Sequence, residues 1–264
     1  MTQINIPFDA NNFAGGPITN QFMPLAVGNT WVYQERTPDG VVDAVIDTVT
    51  VTDQTINIDG VKCVVVSDIV KEGNKTTETT NDYFAQDKAG NVWYFGENTK
   101  TFQPGGASTE GTWRAGANPP DAQPGIIMLA DPRKGDSYFE ENAPNVAVDQ
   151  AAVTSVNASA SVPFGTFNKG LLQTSNTSVL FPSDKETKFY APGVGSILEV
   201  DVDGTRQELV SFNGQTSSVA AAHNLVQAMA SFGNQSAVHT ASPSQSQAHA
   251  QLADMLAPHH AHHA

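Results

Sequence analysis

Between residues 30 and 212, apolar side chains fall either at every second position or in short unbroken runs. No segment before Asn213 shows the three-to-four-residue spacing of an amphipathic helix. This pattern predicts strands. Residues 30–34 and 41–53 form a predicted hairpin that turns at Pro38-Asp39-Gly40. Within its second strand Val42, Ala44 and Ile46 share one parity while Val49 and Val51 take the other, so a β-bulge is expected near Asp47. The run 61–70 is apolar on both faces and reads as a strand covered on both sides. Residues 76–86 and 92–95 flank a turn at 87–91. Val156, Ala158, Ala160 and Val162 alternate with Asn157, Ser159 and Ser161. Leu198, Val200 and Val202 alternate in the same way with Glu199, Asp201 and Asp203. Both stretches predict half-exposed antiparallel strands. The fold class expected is all-β: an antiparallel barrel, or two packed half-barrels, followed by a C-terminal helical tail.

The order of motifs in 28–97 returns in 135–204. Gly28 answers to Gly135, and the aromatic pair Tyr83 and Phe84 answers to Phe189 and Tyr190. A repeat this long predicts two similar halves of one β-rich body rather than a solenoid. The expected organisation is an irregular leader at 1–21, a first β half at 22–103, a Gly- and Pro-rich connector at 104–125, a second β half at 126–212 and a low-complexity tail at 213–264. In the tail, Val219, Ala222, Leu225, Val226, Met229 and Phe232 recur at helical spacing and predict a helix over 217–232. A second is expected at 248–256.

Charge narrows the function classes. Lys plus Arg number 13 against 27 Asp plus Glu, a net charge of −14. Such a field repels phosphate backbones, so nucleic acid is not an expected partner. No run approaches the ~18 apolar residues that a membrane-spanning helix needs. Cys63 is the single cysteine, so no internal disulfide can form, and its apolar surroundings mark it as a small core hydrophobe. All seven histidines lie at or beyond His223. The first 222 residues therefore offer no imidazole base, no Ser-His pair and no zinc-type ligand set, and no cofactor is expected.

The remaining chemistry rests on carboxylates and aromatics. Asp131, Asp136, Glu140 and Glu141 are the densest acidic group, the residues a carboxylate-dependent hydrolase or lyase would use if two faced each other across a groove. Asp87, Asp201 and Asp203 sit in Gly/Asn-containing turns and are the hard-cation candidates, although neither turn has the spacing of an EF-hand. Tyr83, Trp93, Phe95 and Tyr190 are the aromatic candidates for lining a cleft that holds a small apolar ligand. His259, His260, His262 and His263 could hold a divalent metal at the very end of the tail.

Five ordered phrases carry a resemblance: P-L-A-V-G-N-T-W-V-Y at 24–33, D-Y-F-A-Q-D-K-A-G-N-V-W-Y-F-G-E at 82–97, P-G-I-I-M-L-A-D-P-R-K-G-D-S-Y at 124–138, V-P-F-G-T-F at 162–167 and Y-A-P-G-V-G at 190–195. Together they resemble a widespread group of bacterial secreted or lipoprotein-like β-rich proteins of uncharacterised function. The resemblance implies export and carries over no catalytic residue. The N-terminus shows no basic and apolar signal segment, while the charge-poor tail looks like an uncleaved C-terminal secretion signal. The expectation is an exported, acidic, non-enzymatic protein, extracellular or at the cell surface, with the cytoplasm as the alternative. It would bind a small apolar ligand, or serve an extracellular structural or interaction role with a protein partner, and meet an export machinery through its tail.

Overall fold

The structure, a computed structural model, describes residues 1–103 and 105–216. The tail helices expected at 217–232 and 248–256, the secretion signal and His259, His260, His262 and His263 lie outside the described residues. In chain order the elements are β1 (Thr2–Gln3), a 3-10 turn at Ala10–Asn12, β2 (Thr30–Arg36), β3 (Val42–Ile58), β4 (Val61–Glu72), β5 (Lys75–Gln86) and β6 (Val92–Gln103). They continue with β7 (Gly106–Ser108), β8 (Trp113–Arg114), β9 (Gln123–Met128), β10 (Asp136–Ala143), β11 (Ala147–Val162) and β12 (Gly165–Ser178). The last are β13 (Lys185–Ala191), β14 (Gly195–Asp201) and β15 (Arg206–Phe212).

Local chemistry sets the strand ends. Asp59 and Gly60 both take positive φ, 47° and 81°, the tight-turn geometry whose twist suits paired strands, and they join β3 to β4. β2, β3, β4, β5, β6 and β9 form one antiparallel meander, and β10 to β15 form a second. β15 pairs with β2, and β9 pairs with both β6 and β10, so the meanders close into a 12-strand antiparallel barrel. Closure gives every barrel strand a neighbour on both sides along at least part of its length.

The two junctions between meanders differ. β15 and β2 pair from Arg206↔Arg36 to Phe212↔Trp31, with one register shift between Leu209 and Ser211. β9 and β10 share only Glu141↔Pro124 and Asn142↔Gln123. Farther along, β10 takes β1 as a parallel neighbour at Asp136 and Ser137, so Tyr138, Phe139 and Glu140 have no register partner on that edge. This short junction is the seam of the barrel.

Both meanders begin with the same turn. Gly28 (φ 89°) donates its N–H to the Val51 carbonyl, and Asn29 donates to Ala26 across the turn. Gly135 (φ 96°) donates to the Val153 carbonyl, and Asp136 donates to Arg133. Left-handed φ at both positions is what glycine supplies without strain.

The leader is irregular but closely applied to the wall. Phe8 and Phe13 stack at ring-centroid distances of 5.6–6.2 Å on Trp93 and Phe95, which face outward from β6. Ile18, Phe22, Met23 and Leu25 are buried farther along, and the Trp31 indole donates to the Val194 carbonyl at 2.8 Å. Each such buried side chain contributes roughly 1.5–3 kcal/mol through the apolar surface it removes from water.

The expected irregularity beside Asp47 is present: the β2–β3 register shifts between Gln34↔Ile46 and Arg36↔Val42. One strand departs from its half-exposed reading. Leu198 is buried as its alternation implies, but Glu199 is buried as well, so β14 is covered on both faces, while Val202 lies exposed in the following turn. The cause is the interior, which at this level is polar: Glu199 stands opposite Lys188.

Candidate functional site

Two regions carry chemistry: a groove over the seam and the interior beneath it. The leader segment 4–8 spans the seam between two anchors. At one end Thr2 and Ile4 donate their N–H groups to the carbonyls of Gly135 and Ser137 at 2.6 and 2.7 Å. At the other end Phe8 is held in the aromatic stack. Beneath the span lies a cavity of about 210 Å³. Trp93, Ile126, Tyr138 and Phe139 supply its apolar walls, Ile4, Ile6 and Pro7 its cover, and Asn5, Gln123 and Asn142 its amide groups. Among the described residues no carboxylate, Lys, Arg or His lines it. Tyr138 borders it, but the Tyr138 phenol is buried beside Glu140 and is held well above the ordinary tyrosine value by burial and by Glu140. On the other flank of β1 a broader hollow of about 540 Å³ is bounded mainly by hydroxyl and amide side chains, among them Gln150, Thr154 and Thr177.

The barrel interior is acidic. Strand alternation turns Asp47, Asp68, Asp82 and Glu97 inward in the first meander and Asp149, Glu186 and Glu199 in the second, and all are buried. In β10 the register shifts between Phe139 and Glu141, and this bulge lets two consecutive residues, Glu140 and Glu141, both be buried. Lys188 is the one lysine among the buried described residues, with its Nζ 3.1 Å from Glu186 and 3.4 Å from Glu199. Neutral donors brace the acids: Tyr94 donates to Asp82 at 2.8 Å, the Trp113 indole to Glu141 at 2.8 Å, and Asn176 to Glu140 at 2.6 Å.

Burial pushes the Glu140 carboxyl up to about 8, against the opposing pull of Lys188 and the Asn176 amide. Burial, then the charge of Asp149 opposite it in register and that of Glu97, hold Glu141 well above the ordinary carboxyl range. The Tyr138 hydroxyl and Glu140 Oε1 are buried and make no hydrogen bond. At the Lys188 level the carboxylates of Glu186, Glu199 and Asp201 approach closely enough to share a cation. The Lys188 ammonium sits between two of them and supplies that charge. Enclosed in this way, Glu140 and Glu141 are groups whose burial favours holding a proton.

The structure separates the residues that sequence grouped. Asp131 and Asp136 lie at an exposed turn, where Asp131 binds Arg133 at 2.8 Å and Asp136 accepts the Arg133 backbone N–H. Glu140 and Glu141 lie inside, so the four acids do not face one another. Among the aromatics, Trp93 and Phe95 share the leader stack, and Trp93 lines the groove. Tyr83 lies apart beside the Arg114 guanidinium, 5.5 Å from its ring centre, and Tyr190 is buried in the interior. Asp87 accepts the N–H groups of Ala89 and Asn91, the Asn91 amide and the Trp93 indole, so its oxygens brace the 87–91 turn. Asp203 accepts the Thr205 N–H in an exposed turn, while Asp201 lies half-buried beside Glu186. Sequence reasoning missed Ile4, Ile6 and Pro7 as a cover and the segment 123–126 as a wall. The I-N-I-P-F alternation of the leader was the available signal.

No protein-family model matches the chain, and no curated protein does. Among solved structures the chain is similar to a "putative lipoprotein" from Parabacteroides distasonis at 12% sequence identity and a TM-score of 0.40, covering 73% of this chain and 98% of that one. At that distance the likeness carries no functional argument.

Proposed function

We propose that this is an exported bacterial β-barrel protein that works by binding rather than catalysis, and that the seam groove takes a small, neutral, apolar group. The observation that carries this reading is the lining: aromatic and aliphatic walls with three amides and no formal charge. An ionic ligand would lose its hydration there without a counter-charge, whereas an uncharged ring would bury apolar surface and find amide partners. A cavity of ~150 Å³ holds a benzene ring. The 210 Å³ present here suits one ring with a small substituent or a branched aliphatic side chain. Export rests on the resemblance of the five ordered motifs to secreted and lipoprotein-like proteins. The matched glycine turns and the two six-strand meanders support an origin by internal duplication.

The test is a titration of the full chain with benzyl alcohol and with benzoate, followed through the Trp93 indole N–H resonance. Benzyl alcohol should give a saturable shift that Phe139→Glu abolishes, because that change brings a charge to the groove wall. Equal binding of benzoate, or no saturable shift with either probe, would refute the neutral-ligand reading.

A further inference from the structure

The acid-rich interior and the groove meet at one place, the bulge of β10. Glu141 supplies one of the two register pairs that close the seam, Glu141↔Pro124. β9 lies directly on the bulge: a Cβ at Gly125 would fall 2.1 Å from the Glu140 carbonyl oxygen. Pro124, Gly125 and Tyr138 are at the same time groove residues. We propose that Glu140 and Glu141 form a proton-held latch on the β9–β10 seam, closed when the pair carries protons and loosened when both are ionised. The seam latch rests on the fold alone. Its consequence for ligand binding rests on the groove reading above.

The groups facing the pair decide the direction. Glu140 meets Tyr138 on its own strand, Asp149 from β11, Asn176 from β12, Glu186 and Lys188 from β13. Glu141 meets Asp149 from β11, Glu97 from β6 and the Trp113 indole from β8. One ammonium, already shared with Glu186 and Glu199, stands against this group of acids, so each further ionisation adds like-charge repulsion in a dehydrated space. Relief requires water. The least costly entry is the seam, where two register pairs hold β9 to β10 while the opposite junction runs the length of β15.

The sign follows from linkage. In the unfolded chain Glu140 ionises near its ordinary 4.5, and in the barrel near 8. Between those values the folded state holds a proton that the unfolded state has lost. Stability is therefore highest in acid, falls as pH rises through this window, and is flat above it.

Two measurements on the full chain test the latch. The first is the melting temperature between pH 5 and 8, which should fall by roughly 10 °C for a barrel of this size. The second is hydrogen exchange across the same range, corrected for intrinsic rates. Protection of 123–128 and 138–142 should drop at least tenfold, while the β3–β4 ladder keeps its protection. Glu140→Gln should flatten most of both responses, and Glu141→Gln provides an independent check should the first variant fold poorly. Seam protection and melting temperature that do not change with pH overturn the latch. So does a loss of protection spread evenly over all strands. Benzyl alcohol binding separates the two proposals. If the seam responds to pH but Trp93 never shifts, the groove reading fails and the latch stands. If Trp93 shifts and the seam does not respond, the latch fails and the groove stands.

Discussion

Replacing Lys188 by Met removes the interior's ammonium while nearly preserving side-chain length. In the native barrel, burial opposes the charge on Lys188, but Glu186 and Glu199 overcome that penalty and hold the ammonium well above the ordinary lysine value. The ion pair stays intact across the neutral range. Without Lys188, Glu186 and Glu199 face each other and Glu140 with no counter-charge. Breaking one side of a fully buried pair costs about 3–5 kcal/mol, mostly because the remaining charge is left dehydrated. At ~2–4 °C per kcal/mol for a domain of this size, the melting temperature should fall by roughly 8–16 °C. Differential scanning calorimetry at pH 8 measures this, and chemical denaturation gives the free energy independently. One control separates charge from packing: Glu199→Gln in the Lys188→Met background should restore about half of the loss. A loss below ~1 kcal/mol at pH 8 would refute the reasoning, because it would mean that the acids are already neutral and the ammonium is not their counter-ion. A loss that Glu199→Gln does not relieve would assign the effect to packing alone.

Gly28→Ala and Gly135→Ala should each cost about 1 kcal/mol in denaturant unfolding and agree within a few tenths. Both glycines hold positive φ with open space around the missing Cβ, so the penalty is backbone strain alone. Gly125→Ala should be far more damaging, above ~3 kcal/mol or a failure to fold, since its Cβ would meet the Glu140 backbone rather than a movable side chain. Trp93→Ala should cost ~3–5 kcal/mol, because it empties the aromatic stack and strips the indole donor from Asp87. A loss below ~1 kcal/mol would show that the leader does not dock on β6.

Strand periodicity made the all-β class legible, and turn residues placed the hairpins, because both signals are local. A barrel was one of the two architectures expected, but how it closes was not legible. Closure depends on residues 123–128 lying between β6 and β10, and no short-range pattern tells a Gly- and Pro-rich connector from a wall strand. The interior was misread for a more specific reason. Alternation identifies two faces but not which one is inside. The usual rule assigns acids to water, and in β14 that placed Glu199 outside, whereas the barrel buries Glu199 together with Leu198. Lys188 could have given the buried acid away. It stands between Glu186 and Tyr190 at a period of two, and its register partner is Glu199, so one basic residue shares a face with acids from two neighbouring strands. The corresponding pair in the first meander, Asp82 opposite Glu97, is acidic on both strands and therefore looks solvated. Its burial follows only once the sheet has closed, when inward acids must be neutralised by protons or by a cation. The feature that most resists reading along the chain, an acid-lined interior, thus arises from the same closure that brings the leader, β9 and β10 together to form the groove.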